Sequence, residues 1–311
     1  MARFLVTGGA GFIGSNLTKA LVERGDDVVV LDNFSTGRRQ NLAGLEARVV
    51  LHEADVRDAR AVERAVDGCD FVLHQAALPS VPRSVEAPLE SNAANVDGTL
   101  AVLEAARKAR VRRVVFAASS SAYGETPTLP KVETMPTQPL SPYAASKLAG
   151  EHYMRAYHAS YGLETVSLRY FNVFGPNQNP ESQYAAVIPR FVTAALAGRP
   201  PTIYGDGLQS RDFCHIDNAI EANLLATVAP GAAGEVFNIA CGERITLLEV
   251  IARLAAIVGR PIEPIHEPAR AGDIRHSLAD IGRARAVLGY RAAVGFDDGL
   301  RRTVEWYRCA A

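Results

Sequence analysis

The chain has 311 residues, 48% of them hydrophobic, which is enough for one large core or two ordinary ones and excludes disorder as a global description. Lys and Arg number 33 and Asp and Glu 34, a net charge of −1, so there is no electrostatic footprint for non-specific nucleic-acid or anionic-membrane binding. Among the basic residues only Lys19, Lys108, Lys131 and Lys147 are lysines, which makes a lysine inside a motif conspicuous.

The opening MARFLVTGGAGFIG breaks its apolar run with glycines too early for a signal h-region, and no later stretch reaches the roughly 18 apolar residues of a spanning helix. Cys69, Cys214, Cys241 and Cys309 have no C-x-x-C spacing, so neither structural disulfides nor a zinc knuckle is expected. A soluble, cytoplasmic protein of a reducing compartment is predicted.

In chain order, short β-branched runs at 3–7, 27–32, 48–53, 71–75, 113–118 and 165–169 read as strands. Helical patterns at 12–24, 59–66, 89–108 and 142–161 lie between them. This alternation predicts an α/β fold with a doubly wound, Rossmann-type parallel sheet, whose ligands bind at the carboxyl ends of the strands. After Tyr170 the texture turns to Pro- and Gly-rich loops, so 1–171 reads as a dinucleotide-binding domain and 172–311 as a smaller α/β substrate lobe. The apolar run 235–240 is a candidate strand returning to the first sheet.

TGGAGFIG joins the first strand to the first helix. Gly9, Gly11 and Gly14 fit G-x-G-x-x-G, while Gly8, Gly11 and Gly14 fit a three-residue spacing. Glycine there permits a tight turn, close approach of backbone N–H groups to a pyrophosphate, and helix–sheet packing. Asp32, ending the second strand, can accept hydrogen bonds from an adenosine ribose and repels a 2′-phosphate, which favours NAD over NADP; Arg38 and Arg39 just beyond weaken that preference. Asp55 stands where an adenine amino group can be bound or, equally, where an Asp starts a helix.

Tyr143 and Lys147 are four apart in SPYAASKLAG, behind a Ser-Pro helix-start signal, and so share one helical face. A phenol ionises near pH 10, and to serve as a base near neutrality it needs positive charge worth about 4 kcal/mol. Lys147 and an oxidised nicotinamide can together supply that field. Ser119, Ser120 and Ser121 end the fifth strand and face the same crevice, where a hydroxyl can hold a substrate oxygen in line with the tyrosine.

TGGAGFIG, ASSSAYG and the Tyr143/Lys147 pair together resemble the extended short-chain dehydrogenase/reductase family over essentially the whole chain. Within it the chain looks like the UDP-hexose 4-epimerases, closest to the bacterial UDP-N-acetylglucosamine 4-epimerase branch. The resemblance implies an NAD-dependent enzyme that epimerises C4 of UDP-GlcNAc/UDP-GalNAc and of UDP-Glc/UDP-Gal through a transient 4-keto sugar. It assigns Tyr143 as the base, Lys147 as its modulator and nicotinamide-ribose ligand, and Ser119, with Ser121 as runner-up, as the hydrogen-bonding hydroxyl. The Asp-Glu pair of the 4,6-dehydratases is replaced by Ser120-Ser121. Cofactor contacts are implied at Gly8, Gly11, Phe12, Ile13, Gly14, Asp32, Asn33, Ser35, Gly37, Asp55, Val56, Gln75, Ala76, Ala77 and Tyr170, besides Tyr143 and Lys147.

For the substrate, the resemblance points to Asn172 and Arg211 on phosphate or ribose, Arg270 on the diphosphate, Asp273 on the ribose and Tyr204 near the uracil. Ser80, Ser119, Ser121, Gln178, Ala186 and Val187 join the sugar pocket by the same likeness. Ser277 aligns with a gatekeeper that is a bulky tyrosine in epimerases limited to UDP-glucose and UDP-galactose, so its small side chain leaves room for a 2-acetamido group. Pro79 departs from a glycine found in some members. His74, His215 and His276 lack metal-ligand spacing and read as structural or surface residues, with no metal expected. A homodimer through the 89–108 and 142–161 helices is implied. The alternatives are a UDP-glucuronate decarboxylase or epimerase of the same fold and a non-catalytic NAD-sensing binding protein.

Overall fold

A computed structural model describes residues 1–180, 186–269 and 274–310. The apolar runs of the first half form strands β1 (Arg3–Thr7), β2 (Asp27–Asp32), β3 (Val49–Glu53), β4 (Phe71–His74), β5 (Arg113–Ser119) and β6 (Glu164–Tyr170). The second half contributes β11 (Glu235–Ile239), which lies parallel to β6 from Glu235 beside Val166 to Ile239 beside Tyr170. The seven-stranded sheet has the order β11-β6-β5-β4-β1-β2-β3, with every neighbouring pair parallel. The reversal of winding beside β1 creates the crevice in which such sheets bind ligands.

Period-two alternation sorts the side chains between the two faces. Phe4, Val6, Val28, Val30, Leu73, Val115 and Leu168 pack beneath α1 (Phe12–Arg24) and α8 (Ile216–Val228). Leu5, Val29, Leu31, Val72, Val114 and Phe116 pack beneath α2 (Ala59–Val66), α5 (Gly98–Lys108) and α6 (Pro142–Tyr161). Burial on both faces is what makes these strands read as continuous apolar runs. A third cluster, built on Phe174, Phe191, Phe213, Phe296 and Leu300, forms the core of the remaining segments: α7 (Val187–Leu196), α9 (Leu247–Val258) and α11 (Phe296–Ala310). The short strands β7 (Val173–Phe174) and β10 (Cys214–His215) pair at its edge, as do β9 (Ser210–Arg211) with β12 (Ile245–Thr246) and β8 (Thr202–Tyr204) with β13 (Ile265–Glu267).

Helix α6 begins where its sequence signals it. The Ser141 hydroxyl accepts the N–H of Ala144 at 3.1 Å, Pro142 occupies the first turn, and Gly162 at φ +70° closes the helix. The predicted single helix 89–108 is instead interrupted. It is preceded by α3 (Val81–Glu86), starts as α4 (Pro88–Asn92), widens into a π turn at Ala93–Asp97, and only then becomes α5. The extra residue turns Asn95 inward, where its amide spans Leu78 N (2.8 Å), Leu78 O (3.4 Å) and Ser146 Oγ (3.0 Å). Such turns recur near functional sites because they re-aim side chains that a regular helix would point elsewhere.

Candidate active site

The glycines of the first turn divide by cause. Gly8 has φ +68°, and a Cβ there would meet Ala76 N at 2.7 Å; at Gly14 it would meet the Gly8 carbonyl oxygen at 2.1 Å. Both positions therefore require glycine, one for the turn and one for the helix–turn contact. Helix α1 opens directly behind them at Phe12 and Ile13, and no side chain caps it. An uncapped helix N-terminus beside a cradle that any side chain would fill suits a dinucleotide pyrophosphate.

Asp32 is buried beside this turn. Its carboxylate accepts from Ala10 N at 2.9 Å and Phe34 N at 2.7 Å, and a Cβ on Gly37 would come within 2.9 Å of both oxygens. Burial raises its pKa, with these backbone N–H groups opposing the rise. Arg38 bonds Asn179, while Arg39 pairs with Glu53 and lies 4.2 Å from the centre of the Phe34 ring. The two arginines that weakened the NAD preference are thus engaged elsewhere. Asn33 holds Asp55 at 2.7 Å and accepts the N–H of Ser35 at 3.0 Å. Arg57 grips both Asp55 oxygens, at 2.8 and 2.7 Å, and holds this carboxyl down at about 2. The helix-start role weighed for Asp55 falls to Asp58, which accepts from Arg60 N and Ala61 N at the head of α2.

Beyond β4, Ala76 N donates to Thr7 Oγ1 at 3.3 Å, and Ala77 follows in the same loop. Val56 fills the space a Gly98 side chain would take, 2.7 Å from its ideal Cβ. Gln75, Tyr170 and Asn223 form a closed set: Asn223 Nδ2 donates to the Tyr170 hydroxyl at 2.7 Å, and that hydroxyl to Gln75 Oε1 at 3.4 Å. Burial pushes the Tyr170 phenol up to about 12.

Ser119 ends β5 opposite Tyr170 of β6. The N–H and hydroxyl of Ser121 both donate to Ser119 Oγ, at 3.2 and 2.8 Å, which leaves the Ser119 proton free to point outward. The Ser119 hydroxyl lowers the Tyr143 pKa, and the Tyr143 N–H donates to Ser84 Oγ on α3 at 3.0 Å. Burial raises the Tyr143 pKa, opposed by Ser119, and the Lys147 ammonium donates to the Ala117 carbonyl at 2.9 Å, 4.9 Å from the Phe116 ring centre. Burial also pushes Lys147 down to about 7, against a raising influence from Glu151. In the protein alone, burial therefore acts against the charged forms of both Tyr143 and Lys147.

His74 touches this cluster but is a structural group. The Thr99 hydroxyl donates to Asn95 O at 2.6 Å, so it accepts from His74 Nε2 (3.0 Å), and Nδ1 in turn accepts from Thr7 Oγ1 (2.7 Å). Burial and the nearby Lys147 drive its pKa to about 3, so the ring is neutral. His215 accepts the N–H of Asp217 at the start of α8, and His276 bonds Ser210 Oγ at 2.8 Å. Among the described residues no group of three or more His, Cys, Asp or Glu side chains could hold a metal ion.

A cavity of about 250 Å³ opens in the second half, lined among others by Asn172, Ala186, Val187, Tyr204, Arg211 and, unforeseen from sequence, Arg190. The Arg190 guanidinium lies 5.9 Å from the centre of the Tyr204 ring. Asn172 takes φ +30° and donates to Asp212 O at 3.3 Å, and Arg211 donates to Ser210 O and Arg275 O. Ser277 is not in this lining; its N–H donates to Ser210 O at 3.1 Å, next to Arg211. Gln178 lies outside the lining as well, donating to Val173 O at 3.3 Å while its Oε1 is buried with no partner among the described residues. Ser80 caps α3 by accepting Arg83 N at 3.1 Å. Arg270 and Asp273 lie outside the described residues. Two buried residues behind Lys147 also escaped the sequence reading, Glu151 and Arg169; the one signal was that Glu151 continues the four-residue spacing of Tyr143 and Lys147.

Residues 4–240 match the NAD dependent epimerase/dehydratase family. The chain is 41% identical over 310 residues to a UDP-glucose 4-epimerase of Mycolicibacterium smegmatis, covering 98% of each. A solved UDP-N-acetylglucosamine 4-epimerase from Methanobrevibacter ruminantium, in complex with UDP-N-acetylmuramic acid, superposes with a TM-score of 0.95 at 39% identity, covering 100% of this chain and 99% of that one. A Thermus thermophilus UDP-glucose 4-epimerase in complex with NAD gives a TM-score of 0.89 at 40% identity, covering 99% and 100%.

Asp32→Asn keeps the shape of the side chain but removes the charged acceptor. It is expected to weaken NAD binding by about 1.5–3 kcal/mol, roughly ten- to hundredfold, in isothermal titration calorimetry. Unchanged affinity would mean that this carboxylate does not hold the ribose.

Proposed function

The chain belongs to the NAD-dependent epimerase/dehydratase family, and from that premise we propose that it is a UDP-hexose 4-epimerase acting on UDP-GlcNAc/UDP-GalNAc and on UDP-Glc/UDP-Gal. The observation that carries this reading is the composition of the turn after β5. Ser121 stands on Ser119 where a dehydratase needs carboxylates, so Ser119 and Tyr143 are the proton-handling groups facing the crevice. That set suffices to remove and restore the proton of a single hydroxyl.

In this mechanism Ser119 donates to the substrate O4 and Tyr143 takes the 4-OH proton. Lys147, whose ammonium donates to the Ala117 carbonyl, stabilises the resulting phenolate. The Gly8–Gly14 turn and Asp32 would hold NAD, which would supply reversible hydride acceptance at C4, so that no external oxidant would be consumed. Arg211, with Arg270, holds the diphosphate while the 4-keto sugar turns over and presents its other face. Asn172 and Tyr204 hold the nucleoside end of the cavity, and residues 1–171 with the returning β11 form the cofactor-binding body. The small Ser277, tied beside Arg211, supports acceptance of a 2-acetamido group.

The partner we propose is a second copy of the chain. Val81, Val85, Leu89 and Tyr153 are exposed on α3, α4 and α6, which pack together, whereas Val102 and Leu103 of the 98–108 stretch point into the core. The face therefore comprises α6 with α3 and α4 more than α5. Sedimentation velocity is expected to show a dimer that Leu89→Glu dissociates; a native monomer contradicts it.

Proton NMR of native enzyme with UDP-GlcNAc or UDP-glucose is expected to show the C4 epimer. Tyr143→Phe should lower turnover by about 10²–10⁴ while retaining NAD. Absence of the epimer, or undiminished turnover in the variant, would refute the assignment.

A further inference from the structure

The spacing of Tyr143 and Lys147 runs on for one more turn of α6. Glu151 follows at the same interval, and Lys147 and Glu151 are both buried where α6 packs on β5 and β6. Glu151 is 4% exposed, and its two oxygens accept from Nε and Nη2 of Arg169 at 2.9 and 2.7 Å. Arg169, 5% exposed on β6, also stacks 4.6 Å from the centre of the Tyr123 ring, and its Nη1 has no hydrogen-bond partner among the described residues.

Stability alone is a poor reason for such a pair. Two charges withdrawn from water are often matched or bettered by apolar side chains of the same volume, and an unpartnered buried guanidinium nitrogen adds to the penalty. What the pair does achieve is a carboxylate fixed one helical turn from Lys147, beyond the reach of water. Among the described residues, the groups around Lys147 on the other elements bring no anion to it. His74 on β4 is neutral, the Phe116 ring and Ala117 carbonyl belong to β5, Tyr143 is a phenol, and Arg169 on β6 is paired with Glu151. Glu151 is the influence that opposes the burial-driven loss of the Lys147 charge.

We propose that Glu151, clamped by Arg169, is a positioning residue that holds Lys147 in its ammonium form beside Tyr143. This rests on Tyr143 and Lys147 being the catalytic pair proposed above. The working state, phenolate with ammonium, and the idle state, phenol with neutral amine, contain the same number of protons. Only the location of one proton differs, and a fixed carboxylate near Lys147 favours the working state at every pH. Without that carboxylate, the ammonium is lost at lower pH and the phenol becomes harder to ionise.

The double variant Glu151→Met/Arg169→Met fills the same space without charge. It should fold with a melting temperature at or above the native one and still bind NAD. Its kcat should fall about tenfold with KM within about twofold, and the Tyr143 phenol titration should move up by about one pH unit, a factor of ten. That titration is read by ultraviolet difference spectra against Tyr143→Phe, with and without NAD. A folded double variant with native kcat and native titration overturns the proposal and leaves the pair a structural tie between α6 and β6. Should the double variant be insoluble, Glu151→Gln decides by the same two readouts, and failure of both to fold likewise makes the pair structural. If Tyr143→Phe keeps its turnover, the catalytic assignment is what fails, independently of these outcomes.

Discussion

The site depends on one constraint: an ammonium group held where water cannot solvate it. Lys147 is brought there because α6 lies very close to β5. The closeness comes from Gly150, whose ideal Cβ would stand 2.5 Å from Phe116 Cζ. With α6 seated, the Lys147 stem runs over the Phe116 ring to a backbone carbonyl, and desolvation weakens its charge until neighbouring groups decide it. Tyr143 inherits the same geometry one turn earlier. Its helix is fixed at the N-terminus by the capping Ser141 and by Ser84 from α3.

Around this centre the chain repeatedly crosses between its halves. β11 extends the sheet beyond β6, and α8 covers the face that α1 also covers. Asn238 on β11 accepts the Tyr123 hydroxyl at 2.7 Å and donates to Lys131 O at 2.9 Å, while Lys131 N donates to Leu278 O at 2.8 Å. Asp212 accepts from Cys241, Gly242 and Ala279 N–H groups, at 2.9, 3.0 and 3.1 Å. Segments that line the cavity and segments that carry Ser119 and Tyr143 are thus parts of one hydrogen-bonded framework. A sugar anchored by its diphosphate in one half can therefore present C4 to the other at a defined distance.

Local patterns told most of this from sequence alone. The strands β1 and β2, the helices α1 and α6 and the glycine turn follow from apolar periodicity, Ser-Pro and glycine placement, each signalled within its own short stretch of chain. Features that need tertiary geometry were hidden. The π turn at Ala93–Asp97 leaves the apolar pattern of 89–108 nearly regular, so the sequence reads as one helix. The Glu151–Arg169 pair depends on the docking of α6 against β6, which spacing along the chain does not supply. Arg38 finds Asn179 across 141 positions. Without cofactor the direction of the Tyr143 pKa is set by burial, which composition does not encode.

The most direct test uses UDP-GlcNAc or UDP-glucose carrying deuterium at C4, incubated with the NAD-loaded enzyme and followed by NMR. The account predicts that the C4 epimer forms with its deuterium still on C4, because the hydride that leaves is the hydride that returns. Epimer formed with loss of that deuterium to solvent, or no epimer at all, would contradict it.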